Sequence, residues 1–158
     1  PAEILSDLVH FAEQQNIRSL RLTPWRALLL PDISDDAAEE ARALFGDRLI
    51  TNPRDPRLVV AACSGKPACL HASVKTQEDA LTFSKLFKSP SLSGIRLHVS
   101  GCEKGCAHPR SSTAVLVGRD GHYDLVLDGK ASDHPVMRGL EPSTARKRVA
   151  EFLNGVSL

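Results

Sequence analysis

The sequence predicts an α+β fold in two parts, on three observations. Segments of helical and of strand periodicity alternate along its 158 residues. The stretch NPRDPR at 52–57, with two prolines and alternating charges, interrupts both periodicities and marks a boundary. All four cysteines fall in two short stretches, ACSGKPAC at 62–69 and GCEKGCAHP at 101–109, each following a strand-like run. Two domains follow, 1–52 and 53–158.

In the first part, Ile4, Leu5, Leu8, Val9, Phe11 and Ala12 share one stripe at 3.6-residue spacing, a helix over 3–15. RSLRL at 18–22 and RALLL at 26–30 read as two short strands around a turn at Thr23-Pro24-Trp25. Ser34 is placed to cap a helix over 35–45. Asp35 and Asp36 lie in its first turn, where the dipole favours negative charge, and Gly46 is its stop.

In the second part, LVVAA at 58–62 is a buried-strand pattern running into Cys63. Thr76 and Asp79 form a weaker variant of the capping box and open a helix to about Phe87, with Ala80, Leu81, Leu86 and Phe87 apolar. SPSLSG at 89–94 is a loop. IRLHV at 95–99 alternates, putting His98 on a polar face, and leads into Cys102. Residues 113–117 and 122–127 form a hairpin around Asp120-Gly121. Ser143 caps a last helix with Ala145, Val149, Phe152 and Leu153 inward and Gly155 as its stop.

Hydrophobic content of 42%, charged content of 25% and a net charge of +1 are those of an ordinary globular chain and point to neither a nucleic-acid nor a membrane partner. No apolar run reaches the roughly 20 residues of a spanning helix, and no basic-then-apolar leader is visible. A cytoplasmic protein is expected. Starting at Pro1, directly before a helical pattern, the chain reads as part of something longer.

Four cysteines without an export signal argue for a metal or redox site over a disulfide framework. The pattern is C-x5-C followed by C-x3-C. Four thiolates suit zinc or an iron–sulfur cluster. The five-residue gap between Cys63 and Cys69 is wide for the knuckles of a single zinc and favours a [4Fe–4S] cube, although zinc and unliganded thiols stay open on spacing alone. Gly65, Gly101 and Gly105 let the backbone come close to sulfur. Lys66 and Lys104, one in each loop, would offset the negative charge of a thiolate-ligated cube.

ACSGKPAC and SGCEKGCAHP resemble the paired cluster motifs of the nitrite/sulfite reductase superfamily, and RLTPWRALLLP at 21–31 resembles the end of the ferredoxin-like half that precedes them there. Within that superfamily GCEKGCAHP and RLTPWR are most similar to the precorrin-3B synthases. Glu103, Lys104 and Gly105 replace the Asn-containing loop, such as GCPNSC, more frequent in the siroheme reductases. The resemblance implies an incomplete ferredoxin-like half over 1–52 and a [4Fe–4S] domain over 53–158. It implies Cys63, Cys69, Cys102 and Cys106 as cluster ligands, with catalytic residues unassigned. It further implies an O2-dependent oxidoreductase of aerobic cobalamin biosynthesis that converts precorrin-3A to precorrin-3B by hydroxylation and lactone formation. The cluster would relay electrons from a donor, a separate non-haem iron has no assignable ligands here, and the remaining N-terminal half of the polypeptide would complete the enzyme. The alternatives are a segment of a siroheme-dependent reductase, in which the position of Cys106 also contacts the haem iron, and a small iron–sulfur electron carrier.

A precorrin bears many carboxylates, which guanidinium forks match. Arg21 and Arg26 are the candidates to hold them, with Lys66, Lys104 and His108 beside the cysteines. The competing reading is a solvated or ion-paired strand edge for the arginines; for His108 a metal-ligand or proton-donor role stands against one that only fixes its loop. Trp25 is a candidate to stack on a tetrapyrrole, against a core or lid role; His122 and His134 read as solvated turn residues.

Overall fold

Helix α1 (Ala2–Gln14) buries Leu8, Phe11 and Ala12 of the predicted stripe, whereas Leu5 and Val9 stay exposed and Ile4 is half-buried, so the buried face is narrower than the apolar pattern. A computed structural model describes residues 2–24, 26–88 and 94–155. The chain divides into two units, Pro1–Pro53 and Arg54–Leu158.

In the first unit, α2 (Asp35–Phe45) is capped as its sequence predicts. Ser34 Oγ accepts from the Ala37 N–H at 3.2 Å and the Gly46 N–H closes onto the Arg42 carbonyl. The rings of Phe11 and Phe45 meet edge to face at 5.7 Å and, with Leu8 and Ala37, form this unit's core. The two expected strands shrink to an antiparallel ribbon of two residues each, β1 (Arg21–Leu22) and β2 (Leu28–Leu29). No third strand supports it among the described residues, and Leu22 is 85% exposed, so the alternating pattern has no surface to bury against. Thr23 closes the turn, donating its hydroxyl to the Ala27 carbonyl and accepting from the Ala27 N–H. Trp25 lies outside the described residues.

The second unit is a five-stranded sheet in the order β3-β4-β5-β6-β7. Strands β3 (Val60–Ala62), β4 (Leu97–Ser100) and β5 (Ser112–Arg119) run parallel, whereas β6 (His122–Gly129) and β7 (Met137–Leu140) continue antiparallel. β3 is shorter than LVVAA predicts because Pro56–Val59 form a 3-10 turn, capped by Asp55 Oδ1 on the Arg57 N–H at 2.8 Å. The Arg57 guanidinium bonded to Asp55 also holds that carboxyl below its usual range.

β4 corrects the expectation for His98. The strand lies between β3 and β5 and all four residues are buried, His98 completely. Alternation in a central parallel strand does not mean one wet face. The hairpin turns at Asp120 (φ 50°) and Gly121 (φ 83°), the left-handed pair that a two-residue turn needs, and its strands run longer than predicted. β7 was not predicted.

Helices α3 (Thr76–Ser84) and α4 (Pro142–Leu153) cover one sheet face. Phe83, Leu97, Val99, Leu116, Tyr123, Leu125, Ala145 and Val149 make the main core. α3 ends before Phe87, in tighter bonds from Leu86 N–H to the Phe83 carbonyl and from Phe87 N–H to that of Ser84, yet Phe87 stays buried. α4 starts on Pro142 with Glu141 at the cap position, so Ser143 is not its cap; Gly155 (φ 77°) stands just past its end. The other face buries Val115, Val117, Val126 and Ala131. The predicted loop at 89–94 lies, apart from Gly94, outside the described residues. No helix among the described residues is long and apolar enough to cross a membrane.

Candidate metal centre

Parallel pairing of β3 with β4, register Ala62 to Val99, brings the two cysteine loops out of adjacent strand ends. The Cys63 N–H reaches the Val99 carbonyl at 3.4 Å, and the Gly101 N–H donates to Cys63 Sγ at 3.2 Å. A Cβ on Gly101 would stand 2.6 Å from Ala72 Cβ, so only glycine lets the second loop pack this closely on the segment that follows the first.

The first loop, Cys63 to Cys69, turns at Gly65 (φ 61°) and carries a cis Lys66–Pro67 bond. It is fixed by N–H bonds from Lys66 to the Val74 carbonyl and from Cys69 to the Gly65 carbonyl. Ser73 N–H then bonds the Gly101 carbonyl, a second tie between the loops. In the second loop, Ser100 Oγ donates to the Cys102 carbonyl at 2.7 Å and Gly105 takes φ 62°. His98 packs beneath this loop: its ring meets that of His108 edge to face at 6.0 Å, and a Cβ on Gly105 would lie 3.7 Å from it.

Cys63, Cys69 and Cys102 are half-buried, Cys106 is exposed, and all four are free thiols. Among the described residues no group of three or more His, Cys, Asp or Glu side chains is set to hold a single metal ion. A cube held by four cysteines spreads them over several irons and does not ask that of them. Soft donors, a glycine that admits close approach and a backbone N–H already aimed at sulfur fit such a group.

Thr76 was expected to cap α3. Instead Lys75 holds the cap position, and the fully buried Thr76 hydroxyl donates to the Cys63 carbonyl at 2.7 Å. Gln77 Nε2 reaches the same carbonyl at 2.6 Å. Two further groups went unnoticed in the sequence. Tyr123, buried in β6, donates its hydroxyl to Asp79 on α3 at 2.5 Å. Burial, and then the bonded Asp79 carboxylate, push the phenol far above its ordinary value. Asp124, also buried, accepts from Arg119 Nε at 3.1 Å, Arg138 Nη1 at 3.3 Å and the Gly139 N–H at 3.0 Å. Arg119 in turn faces Glu103 of the second cysteine loop at 3.8 Å.

Lys66 and Lys104 project from the two loops and are exposed, and His108 is half-buried beside Cys106. Arg21 and Arg26 are exposed on the ribbon of the first unit. His122 is not merely solvated: it bonds the Asp120 carbonyl and the Glu141 carboxylate, which raise its pKa in that order. His134 is exposed.

No protein-family model matches the chain. A precorrin-3B synthase of Sinorhizobium sp is 30% identical over 137 residues, 85% of this chain and 29% of that protein. The chain resembles precorrin-3B synthase. The β-component hemoprotein of an NADPH sulfite reductase from Afipia carboxidovorans is 27% identical over 82% of this chain and 24% of its own length. A chloroplastic ferredoxin–nitrite reductase of Betula pendula is 25% identical over 74% of this chain and 21% of its own. The NirA protein of Mycobacterium tuberculosis superposes with a TM-score of 0.72 over 96% of this chain and 32% of that one, at 18% identity, and shares the mixed α+β fold. Synthase and reductase relatives together are what the cysteine motifs of the sequence resemble. The chain spans less than a third of the length of each.

Proposed function

We propose that this chain is the cluster-bearing part of a precorrin-3B synthase-like oxidoreductase, in which Cys63, Cys69, Cys102 and Cys106 hold a [4Fe–4S] cluster. The observation that carries this reading is the cross-tied pair of cysteine loops at the ends of β3 and β4, closed by the Gly101 N–H on Cys63 Sγ. When bound, the cluster supplies one-electron transfer. The chain's own residues would hold and tune it: Gly101 admits the Cys63 sulfur, its N–H favours a thiolate, and Lys66 and Lys104 would offset the charge. Arg21 and Arg26 would bind carboxylates of precorrin-3A, whose hydroxylation and lactone formation consume O2 and need an electron donor, a non-haem iron and the rest of the polypeptide.

The sulfite and nitrite reductase relatives favour a second reading, a segment of a siroheme enzyme. The Glu103-Lys104-Gly105 loop favours the first. A Soret-region band in the complete, cluster-replete protein would decide for the second.

The test is anaerobic purification followed by iron, zinc and acid-labile sulfide analysis. The expected result is about four irons and four sulfides per chain. Stoichiometric zinc without sulfide would overturn the cluster.

A further inference from the structure

Among the four cysteines, Cys63 is the one whose groups are held on every side. Its N–H goes to the Val99 carbonyl, its carbonyl takes both the Thr76 hydroxyl and Gln77 Nε2, and its sulfur takes the Gly101 N–H. Thr76 is fully buried at the start of α3, its Oγ1 also 3.8 Å from Cys63 Sγ. Space around it is closed: a Cβ on Gly65, itself at φ 61°, would stand 2.3 Å from Thr76 Oγ1.

A hydroxyl has one proton to give. In the free thiol it goes to the Cys63 carbonyl, and the S–H faces Oγ1. A metal-bound sulfur has no proton and becomes an acceptor only. The Cys63 carbonyl would still keep Gln77 at 2.6 Å. From this geometry we infer that Thr76 is a positioning residue with a switchable donor: it turns its hydroxyl from the Cys63 carbonyl to the Cys63 sulfur when that sulfur is ligated, and Gln77 is the understudy that releases it. Each donor to a ligating sulfur favours the more negative, reduced state of a cluster and so raises its potential. Cys63 then receives two such donors, from Gly101 and Thr76.

This inference rests on the cluster reading, and the two fail separately. Iron and sulfide content of the unaltered chain decides the cluster before any variant is measured. The inference itself is tested by the midpoint potential, followed by EPR in a redox titration of the anaerobically purified full chain. Thr76→Ser keeps the hydroxyl and should keep the wild-type midpoint. Thr76→Val keeps the shape, loses the proton and should titrate at a lower potential at equal iron content. Gln77→Leu, an exposed change that leaves the core intact, forces the hydroxyl to stay on the carbonyl. It should lower the midpoint in the same direction, with no further fall when combined with Thr76→Val. If Thr76→Val does not fold, Gln77→Leu decides alone. A wild-type midpoint in either Thr76→Val or Gln77→Leu, or a midpoint in Thr76→Ser as low as that of Thr76→Val, would overturn the inference.

Discussion

Gly101 gives its backbone N–H to the sulfur of Cys63 across 3.2 Å, joining residues 38 positions apart. The contact exists because nothing stands on the Gly101 Cα. An added Cβ would meet Ala72 Cβ at 2.6 Å and Ala72 Cα at 3.2 Å. Gly101→Ala is therefore expected to destabilise the chain by roughly 1–3 kcal/mol, the usual cost of forcing a methyl into a packed site. Adding Ala72→Gly should recover part of it. Urea denaturation of the single and double variants checks this; a double variant no more stable than the single would mean that the clash lies elsewhere.

Tyr123 and Asp79 tie the sheet to α3 inside the core. Tyr123→Phe removes the donor and leaves a half-buried carboxylate short of a partner, an expected loss of about 1–3 kcal/mol. The pair also sets a pH dependence. Folding raises the phenol's pKa above its unfolded value of about 10, so its contribution is complete below pH ~10 and declines as pH rises from there toward the folded pKa. Stability measured by denaturant from pH 8 to 11 should fall at the alkaline end in the wild type, and less steeply in Tyr123→Phe. Parallel curves would contradict the assignment.

Asp124 anchors the edge of the sheet through Arg119, Arg138 and the Gly139 N–H. Its carboxylate is buried and both guanidiniums are more than half exposed, so a freed arginine rehydrates while an unpaired Asp124 would not. Asp124→Ala is expected to cost about 1–3 kcal/mol, and Arg138→Ala less, since Arg119 and Gly139 still serve the carboxylate. Thermal melts of the two variants give the order; the reverse order would show that the arginines pack rather than pair.

The proposed cluster should act as a staple. Linking Cys63 to Cys106 closes a long loop through the second unit. Cys102→Ser is expected to lose iron and sulfide and to melt below the loaded wild-type chain when both are compared without oxygen. Equal melting temperatures would make the cluster peripheral to folding.

The position of the two cysteine loops just past strand ends was legible in the chain, because each cysteine stretch directly follows a strand-like run, and β3 and β4 do pair side by side. The hairpin at Asp120-Gly121 and the Ser34 cap were legible as a specific backbone need met by a specific residue. His98 was misplaced because alternation reports periodicity, not what covers each face of a central strand. Thr76 was misread because a hydroxyl before an apolar run serves equally as a cap or as a long-range donor, and only its approach to Cys63 tells them apart. β7 stayed hidden because MRGL carries an arginine and a glycine at φ 65°, and its pairing to β6 is broken by a register shift. Asp55-Pro56 turned Leu58 and Val59, two of the five residues of the predicted strand, into a 3-10 turn, a local preference overriding an apolar run.

Arg21 and Arg26 bear on what the chain achieves alone. It spans 29% of its synthase relative. A macrocycle with many carboxylates needs cations on several sides and exclusion of water around the reacting carbon, and two exposed arginines on a short ribbon supply neither in full. The expected result is that this chain loads the cluster but does not turn over precorrin-3A with O2 and a reductant. In the complete enzyme, Arg21→Ala should raise KM several-fold with kcat nearly unchanged, the mark of an interaction made equally in ground and transition states. Single-turnover assays settle the first point: hydroxylated product from the chain alone, at the rate of the complete enzyme, would place the whole site within these residues. Steady-state kinetics settle the second, because a fall in kcat with KM unchanged would move Arg21 from substrate binding to the chemical step.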